Sequence, residues 1–202
     1  MSKGTIAIVS PGDMGHVVGR VIVEKGYRVI TSLEGRSDVT HIRAKRAQIE
    51  DLGTFESLIG EAEFILSIMP PEYALEFARE AAKTMHNLGV APVFVDCNAV
   101  SPATAIEIGL VMARVEANYI KIGIIGPPPG KGITTKFYAS GSDTDLLQFL
   151  DGGGISFRPL GGDITRAAAI KMCYAAMTKG TMTLHTAVLT AGELLGISGE
   201  LR

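Results

Sequence analysis

Two stretches of this chain carry residue types and spacings that could do chemistry. The first is Ser10-Pro11-Gly12-Asp13-Met14-Gly15, set between the apolar run of residues 6–9 and a segment in which Val17, Val18, Val21 and Ile22 recur at helical spacing. A buried strand, a tight turn and a helix N-terminus in that order make a phosphate-binding site for a dinucleotide. Gly12 lets the backbone approach a pyrophosphate, Gly15 lets the helix pack close to the strand, and the helix start offers free N–H groups and the positive end of a dipole. Ser10 stands where such turns usually carry their first glycine, so the spacing predicts a turn made by Ser10-Pro11 with proline fixing φ. The second stretch is residues 167–177, where Lys171 is the lone charge in an apolar segment. Burial there would lower the lysine pKa toward the range useful for proton transfer, which is general acid or base chemistry. The plain alternative is a lysine whose head reaches solvent.

These groups must be positioned by alternating strands and helices. Gly26 closes the first helix, and a second strand follows at residues 27–31. The next segment, residues 32–37, is where an acidic residue would hold the adenosine ribose of NAD, or a basic one the 2′-phosphate of NADP. Glu34 suits the first role, while Ser32, Arg36 and Ser37 offer the donors a phosphate monoester needs, and the balance favours NADP with NAD as the alternative. Helices are predicted over 37–47 and 55–62, with a short strand at 49–52. A buried strand at 64–68 ends at Met69-Pro70-Pro71, where proline starts a helix running to about Met85. Ser67 to Pro70, at this strand end, then border the nicotinamide side of the cofactor.

The strand at 93–96 leads into Cys97-Asn98-Ala99-Val100-Ser101-Pro102 and a helix to about Val115. Asn98 can present both a donor and an acceptor to cofactor or substrate. A strand at 119–125 runs into the proline-rich loop 126–132, a rigid loop in polyproline geometry. Strands at 137–140 and 156–158 bracket a helix over 143–150, and the first domain closes near Gly162. From Asp163, a capping residue, one helix continues without proline to about Leu195, apolar around most of its circumference in the 167–177 region and hence expected to be covered on several sides.

The bulk properties exclude other classes. A chain of 202 residues with formal net charge −2 and scattered basic residues has no track for nucleic acid, the cluster Arg43-Ala44-Lys45-Arg46 reading as a solvated helix face. No apolar run is long enough to span a bilayer, and no signal peptide is visible. Cys97 and Cys173 sit in no metal-ligand spacing and read as reduced thiols of a cytoplasmic protein.

With these motifs in order, the chain resembles the β-hydroxyacid dehydrogenases, relatives of 6-phosphogluconate dehydrogenase that include 3-hydroxyisobutyrate dehydrogenase. The resemblance is carried by Gly12-Asp13-Met14-Gly15, Met69-Pro70, the 96–102 segment, the Gly126 loop and Lys171. It implies a Rossmann-type domain, a nicotinamide cofactor, a lysine that relays the proton of the substrate hydroxyl, and an all-helical C-terminal domain that typically makes a dimer. Several positions depart from the family pattern. Asn98 and Ala99 replace the Ser and Thr of an Asp-X-Ser-Thr-X-X-Pro segment, Ala175 replaces an asparagine one turn after the lysine, and Thr165 and Ala167 replace glycines. Lys121 replaces an aspartate, and residues 173–178 replace the His-Asn-Gly-Ile-Glu-Tyr of a true 6-phosphogluconate dehydrogenase. Phosphogluconate is accordingly not the expected substrate, and the pattern is similar to a divergent subgroup of phosphogluconate dehydrogenase-like proteins.

The expectation is an α/β chain with a mostly parallel sheet. Residues 1–162 form a Rossmann-type domain, and 163–202 begin a truncated helical domain through which a homodimer would form. It would be an NADP-preferring oxidoreductase acting on a small hydroxy acid or related alcohol, without a metal. Ser10, Pro11, Gly12, Asp13, Met14, Gly15, Ser32, Arg36, Ser37, Met69, Pro70 and Asn98 would hold the cofactor, Asn98, Gly126 and Pro127 the substrate, and Lys171 would act in catalysis. An imine reductase of related build and a non-catalytic NADP-binding module are the alternatives.

Overall fold

Short runs of aliphatic residues, each ended by a glycine, proline or polar turn, pair edge to edge into one eight-stranded sheet in the computed structural model, which describes residues 3–130 and 132–201. Lys131 of the proline-rich loop and Arg202 lie outside the described residues. The strands are β1 (Thr5–Val9), β2 (Arg28–Thr31), β3 (Glu50–Asp51), β4 (Phe64–Ser67), β5 (Val93–Asp96), β6 (Tyr119–Ile125), β7 (Thr135–Ser140) and β8 (Ile155–Pro159). Their order across the sheet is β3-β2-β1-β4-β5-β6-β7-β8. All neighbours are parallel except β6 and β7, which pair antiparallel. The order reverses beside β1, and a crevice opens at the carboxyl ends of β1 and β4, where ligands of open α/β sheets bind.

Helices cover both faces because the strands alternate. Ile6 and Ile8 point into one core with Val18, Val21 and Ile22 of α1 (Gly15–Glu24) and Ala44 of α2 (Asp38–Arg46). Ala7 and Val9 point into the other with residues of α3 (Phe55–Glu61), α4 (Ala74–Leu88) and α5 (Pro102–Ala113). Local chemistry sets the helix ends: the Thr54 and Ser101 hydroxyls accept from Ser57 N–H and Thr104 N–H, and Gly89, at φ 67°, caps α4 in the left-handed conformation.

Three segments differ from expectation. Pro71–Tyr73 form a 3₁₀ turn, so α4 proper starts at Ala74. Thr144–Leu150 are also 3₁₀ and not α, because Thr144, Leu147 and Leu150, three residues apart, are the ones buried, which suits three residues per turn. The Lys25 ammonium caps that segment by donating to the carbonyls of Phe149, Leu150 and Asp151 at 2.8, 3.0 and 2.6 Å. The third is α6 (Thr165–Leu194), on which the Asp163 carboxylate accepts from the Thr165 N–H and hydroxyl. Gly192 near its end is buried, and otherwise only its first turns are covered, with Ala167 and Ala168 buried against the sheet and α5. Beyond them Met177, Met182, Leu184 and Leu189 are exposed, so the expected cover on several sides is absent among the described residues. A short α7 (Ser198–Leu201) follows.

Candidate functional site

The β1–α1 turn is built by Ser10. Its φ of 62° is the left-handed conformation a glycine usually supplies, so the serine takes the strained position in a turn that Ser10 and Pro11 make together. Pro11 is the centre of a tight turn closed by Gly12 N–H donating to Ser10 O at 2.7 Å, for which a proline φ is well suited. Gly15 is required, since a Cβ there would stand 2.8 Å from the Ser10 carbonyl oxygen. Gly12 is open, with only that same oxygen within 4 Å, at 3.8 Å. Among the described residues, the N–H groups of Asp13, Met14 and Gly15 donate to no protein acceptor, and no side chain caps α1. That cradle fits a pyrophosphate. The Asp13 carboxylate is turned outward, 3.7 Å from the Arg43 guanidinium.

Two adjoining clefts of about 320 and 430 Å³ run from this turn over the ends of β2 and β4, and both are lined by Ser10, Arg36, Phe77 and Glu80. Ser32 and Glu34 line the first, Met69, Pro70 and Tyr73 the second. The Ser32 hydroxyl donates to Gly53 O at 2.9 Å, leaving its oxygen free to accept and Arg36 as the cationic donor at this end. Ser37 lies at the start of α2, with its hydroxyl 3.1 Å from that of Thr40, and is not among the residues lining either cleft.

Asn98 plays a different part from the one expected. It is buried, its amide oxygen accepts from Met69 N–H at 2.7 Å and its amide N–H donates to the Ser67 hydroxyl at 2.9 Å. The side chain is thus spent on clamping the end of β4 to the end of β5, and it shapes the cleft from behind without facing a ligand. Sequence reasoning missed the partner of this clamp. Lys121, fully buried in β6, donates to Asp96 O (3.0 Å), Asn98 O (2.6 Å) and Ile122 O (3.1 Å), and lies 3.2 Å from the Asp96 carboxylate. The same carboxylate accepts from Asn98 N–H and the Tyr119 hydroxyl, whose pKa is pushed up by burial and then by Asp96. The available signal was a lysine inside an otherwise apolar strand, paired by register with an aspartate on its neighbour. Cys97 beside them is buried, and burial pushes its thiol pKa up, away from reactivity.

Lys171 stands on the second turn of α6, over the end of β6. Its ammonium donates to Ile124 O at 2.8 Å, and its pKa is lowered by burial first and then by the charges of Lys179 and Lys121. The helix comes this close because Gly123 has no side chain: a Cβ there would lie 2.4 Å from Ala167 O and 3.3 Å from Lys171 Cβ. Lys171 lines a cleft of about 690 Å³ with Pro71, Ala99, Gly126 and Pro127 on the facing wall. The Pro127 carbonyl is pinned by the Thr135 hydroxyl. The structure thus gathers Ser10, Ser32, Arg36, Met69 and Pro70 along one end of the strand edge, and Gly126, Pro127 and Lys171 along the other.

A parallel sheet whose order reverses beside a glycine turn, with an open N–H cradle at that point, defines a dinucleotide-binding protein of the Rossmann type. Residues 5–150 match the family model of the NAD binding domain of 6-phosphogluconate dehydrogenase, and the chain belongs to that family. An uncharacterized 28.5 kDa protein in the 7S RNA 5′ region of Methanothermus fervidus is 25% identical over 196 residues, 97% of this chain and 74% of that protein. A solved conserved protein of unknown function, reported as structurally similar to 3-hydroxyacid dehydrogenases, is 27% identical with a TM-score of 0.78, over 98% of this chain and 73% of that one. An imine reductase from Myxococcus stipitatus in complex with NADP+ shares the fold at 19% identity and a TM-score of 0.75, over 97% of this chain and 68% of its own. Among the described residues no helix is long and apolar enough to cross a membrane.

Proposed function

We propose that this protein is an NADP-preferring oxidoreductase that interconverts a small hydroxy acid with its carbonyl form. The observation that carries the reading is the half-buried Lys171, held by Ile124 O above the strand edge that presents the glycine turn. The N–H groups of residues 13–15 would hold the pyrophosphate, Arg36 the 2′-phosphate, and Met69 and Pro70 would border the nicotinamide. Bound NADP would accept or supply the hydride. Lys171, whose pKa burial lowers, takes the hydroxyl proton as the carbonyl forms and returns it in reduction, while the Ile124 carbonyl fixes its direction. Gly126 and Pro127 bound the substrate opposite it.

The solved imine reductases support an alternative substrate class through fold alone, and the cleft counts against it. A protonated imine would sit beside Lys171 and Lys179 with no carboxylate among the described lining residues to offset the repulsion. The reading also has the protein act in the cytoplasm as a homodimer, supported by its two unpaired cysteines and by the exposed apolar residues of α6.

The test is NADPH oxidation driven by a panel of short keto acids and, separately, cyclic imines, with wild type and Lys171→Ala. Keto acid turnover that falls about 100-fold in the variant, with NADPH affinity unchanged, supports the assignment. Turnover of imines alone would transfer it to the reductase class. NADPH binding without turnover of any substrate would favour the non-catalytic module.

A further inference from the structure

β6 runs past the end of its neighbour β5, and two of its carbonyls are left over. Alternate residues of β6 face β5, where the Phe94 N–H donates to Asn118 O at 2.8 Å, so Ile122 O and Ile124 O point the same way. β5 ends at Asp96, and the next N–H in line, that of Asn98, turns to the Asp96 carboxylate at 2.9 Å. A carbonyl that loses its strand partner needs another donor. Each of the two has an ammonium: Lys121 donates to Ile122 O at 3.1 Å and Lys171 to Ile124 O at 2.8 Å. Carbonyls two residues apart on a strand lie about 7 Å apart. The residue between them, on the face toward α6, is Gly123, which has no side chain to separate the two lysines.

Lys121 is fully buried and Lys171 half-buried, so solvent screens the repulsion between them only weakly. The Asp96 carboxylate, 3.2 Å from Lys121, offsets part of its charge, but it meets that ammonium from the side of Tyr119, whose hydroxyl donates to the same oxygen. The positive end of the pair is therefore the end nearer Ile124. The other groups around Lys171 do not cancel it. Its own helix adds Lys179, β7 brings Tyr138 and the exposed Lys136 opposite Gly123 and Ile125, and no carboxylate occurs among the described residues lining the cleft. We propose that Lys121 is a positioning residue for the reaction, a fixed buried cation that holds Lys171 toward its neutral, proton-accepting form while the two lysines together secure the free edge of β6. The lowered pKa of Lys171, to which Lys121 contributes after burial and Lys179, agrees in direction. The part played in catalysis rests on the proposed function. The coupling of the two ammonium groups does not.

The test is a carbon NMR titration of the full chain with its lysines isotope-labelled at Cε, the Lys171 signal being identified by its loss in Lys171→Ala. Lys121→Met/Asp96→Asn removes both charges of the pair and should raise the Lys171 midpoint by at least about half a pH unit, toward 10.5. In Asp96→Asn alone the Lys121 signal reports its own charge: a charged Lys121 should push the Lys171 midpoint below that of wild type, and a neutral one should let it rise. A lysine that only satisfied carbonyls would produce neither shift. The rising limb of kcat/KM against pH in the oxidative direction should move with the NMR midpoint. A Lys171 midpoint that stays within about 0.2 unit of wild type in both variants overturns the proposal, and if the double variant does not fold, Asp96→Asn decides alone. Coupled titration in a protein that turns over no hydroxy or keto acid would keep the coupling and remove the proposed function. Turnover with uncoupled titration would do the reverse.

Discussion

Gly123→Ala tests whether the position of Lys171 sets the rate. The added Cβ would lie 2.4 Å from the Ala167 carbonyl oxygen, whereas side-chain carbons are essentially never found below 3.0 Å and are tight up to 3.4 Å. Relief therefore needs a movement of about 0.6–1.0 Å, and the obstacle is helix backbone that cannot turn aside alone. The first turns of α6 must lift from β6, carrying Lys171 away from Ile124 O, now 2.8 Å distant. A misplacement of that size costs on the order of 100-fold in turnover. Overpacking of this kind destabilises by about 1–3 kcal/mol, which in a chain of this length lowers Tm by about 2–12 °C. The glycine turn lies on β1, three strands away across the sheet, so NADPH affinity should stay within twofold. Steady-state kinetics, nucleotide titration and thermal unfolding of one preparation read all three quantities. A folded Gly123→Ala protein that binds NADPH normally and keeps kcat within twofold would show that close seating of α6 on β6 does not govern catalysis.

Other perturbations separate the remaining parts of the site. Arg36→Ala should weaken NADPH at least tenfold and leave NADH unchanged in calorimetric titration, and equal losses for both would remove the guanidinium from 2′-phosphate recognition. In the oxidative direction the neutral Lys171 amine is the active form. Because burial, Lys179 and Lys121 lower its pKa, the rising limb of kcat/KM against pH should fall below the ordinary lysine value of 10.5 and vanish in Lys171→Ala; a limb that survives belongs to another group. The same shift has a stability consequence: the folded state pays for a buried ammonium at pH values below the lowered pKa, and the cost fades as pH rises toward 10.5. Lys121→Met leaves the Asp96 carboxylate buried without its cation and should cost about 3–5 kcal/mol in denaturant unfolding. The double variant Lys121→Met/Asp96→Asn should recover more than half of that loss, and no recovery would mean that the lysine acts through its carbonyl contacts and not through the ion pair.

What the sequence determined by itself is what local chemistry controls. The β1–turn–α1 unit, the strands at 93–96 and 119–125, and the two-sided parallel sheet follow from continuous aliphatic runs, turn residues and helical spacing, because each depends on neighbours only a few positions away. Lys171 stood out for the same reason, as one charge in an apolar helix. Tertiary structure decided how these groups are used. Nothing local shows that Ser10 accepts a left-handed backbone, a strain that the packing of Gly15 beneath its carbonyl oxygen holds in place. Asn98 looked like a free donor and acceptor until Ser67 and Met69, about 30 residues earlier, consumed its amide. Lys121 and Asp96 become a buried pair only when β5 and β6 align side by side, and Lys171 meets Ile124 across 47 residues because Gly123 leaves room for the helix. Burial and hydrogen-bond satisfaction are properties of groups distant in the chain, so the sequence names the candidates and the packed sheet assigns their roles.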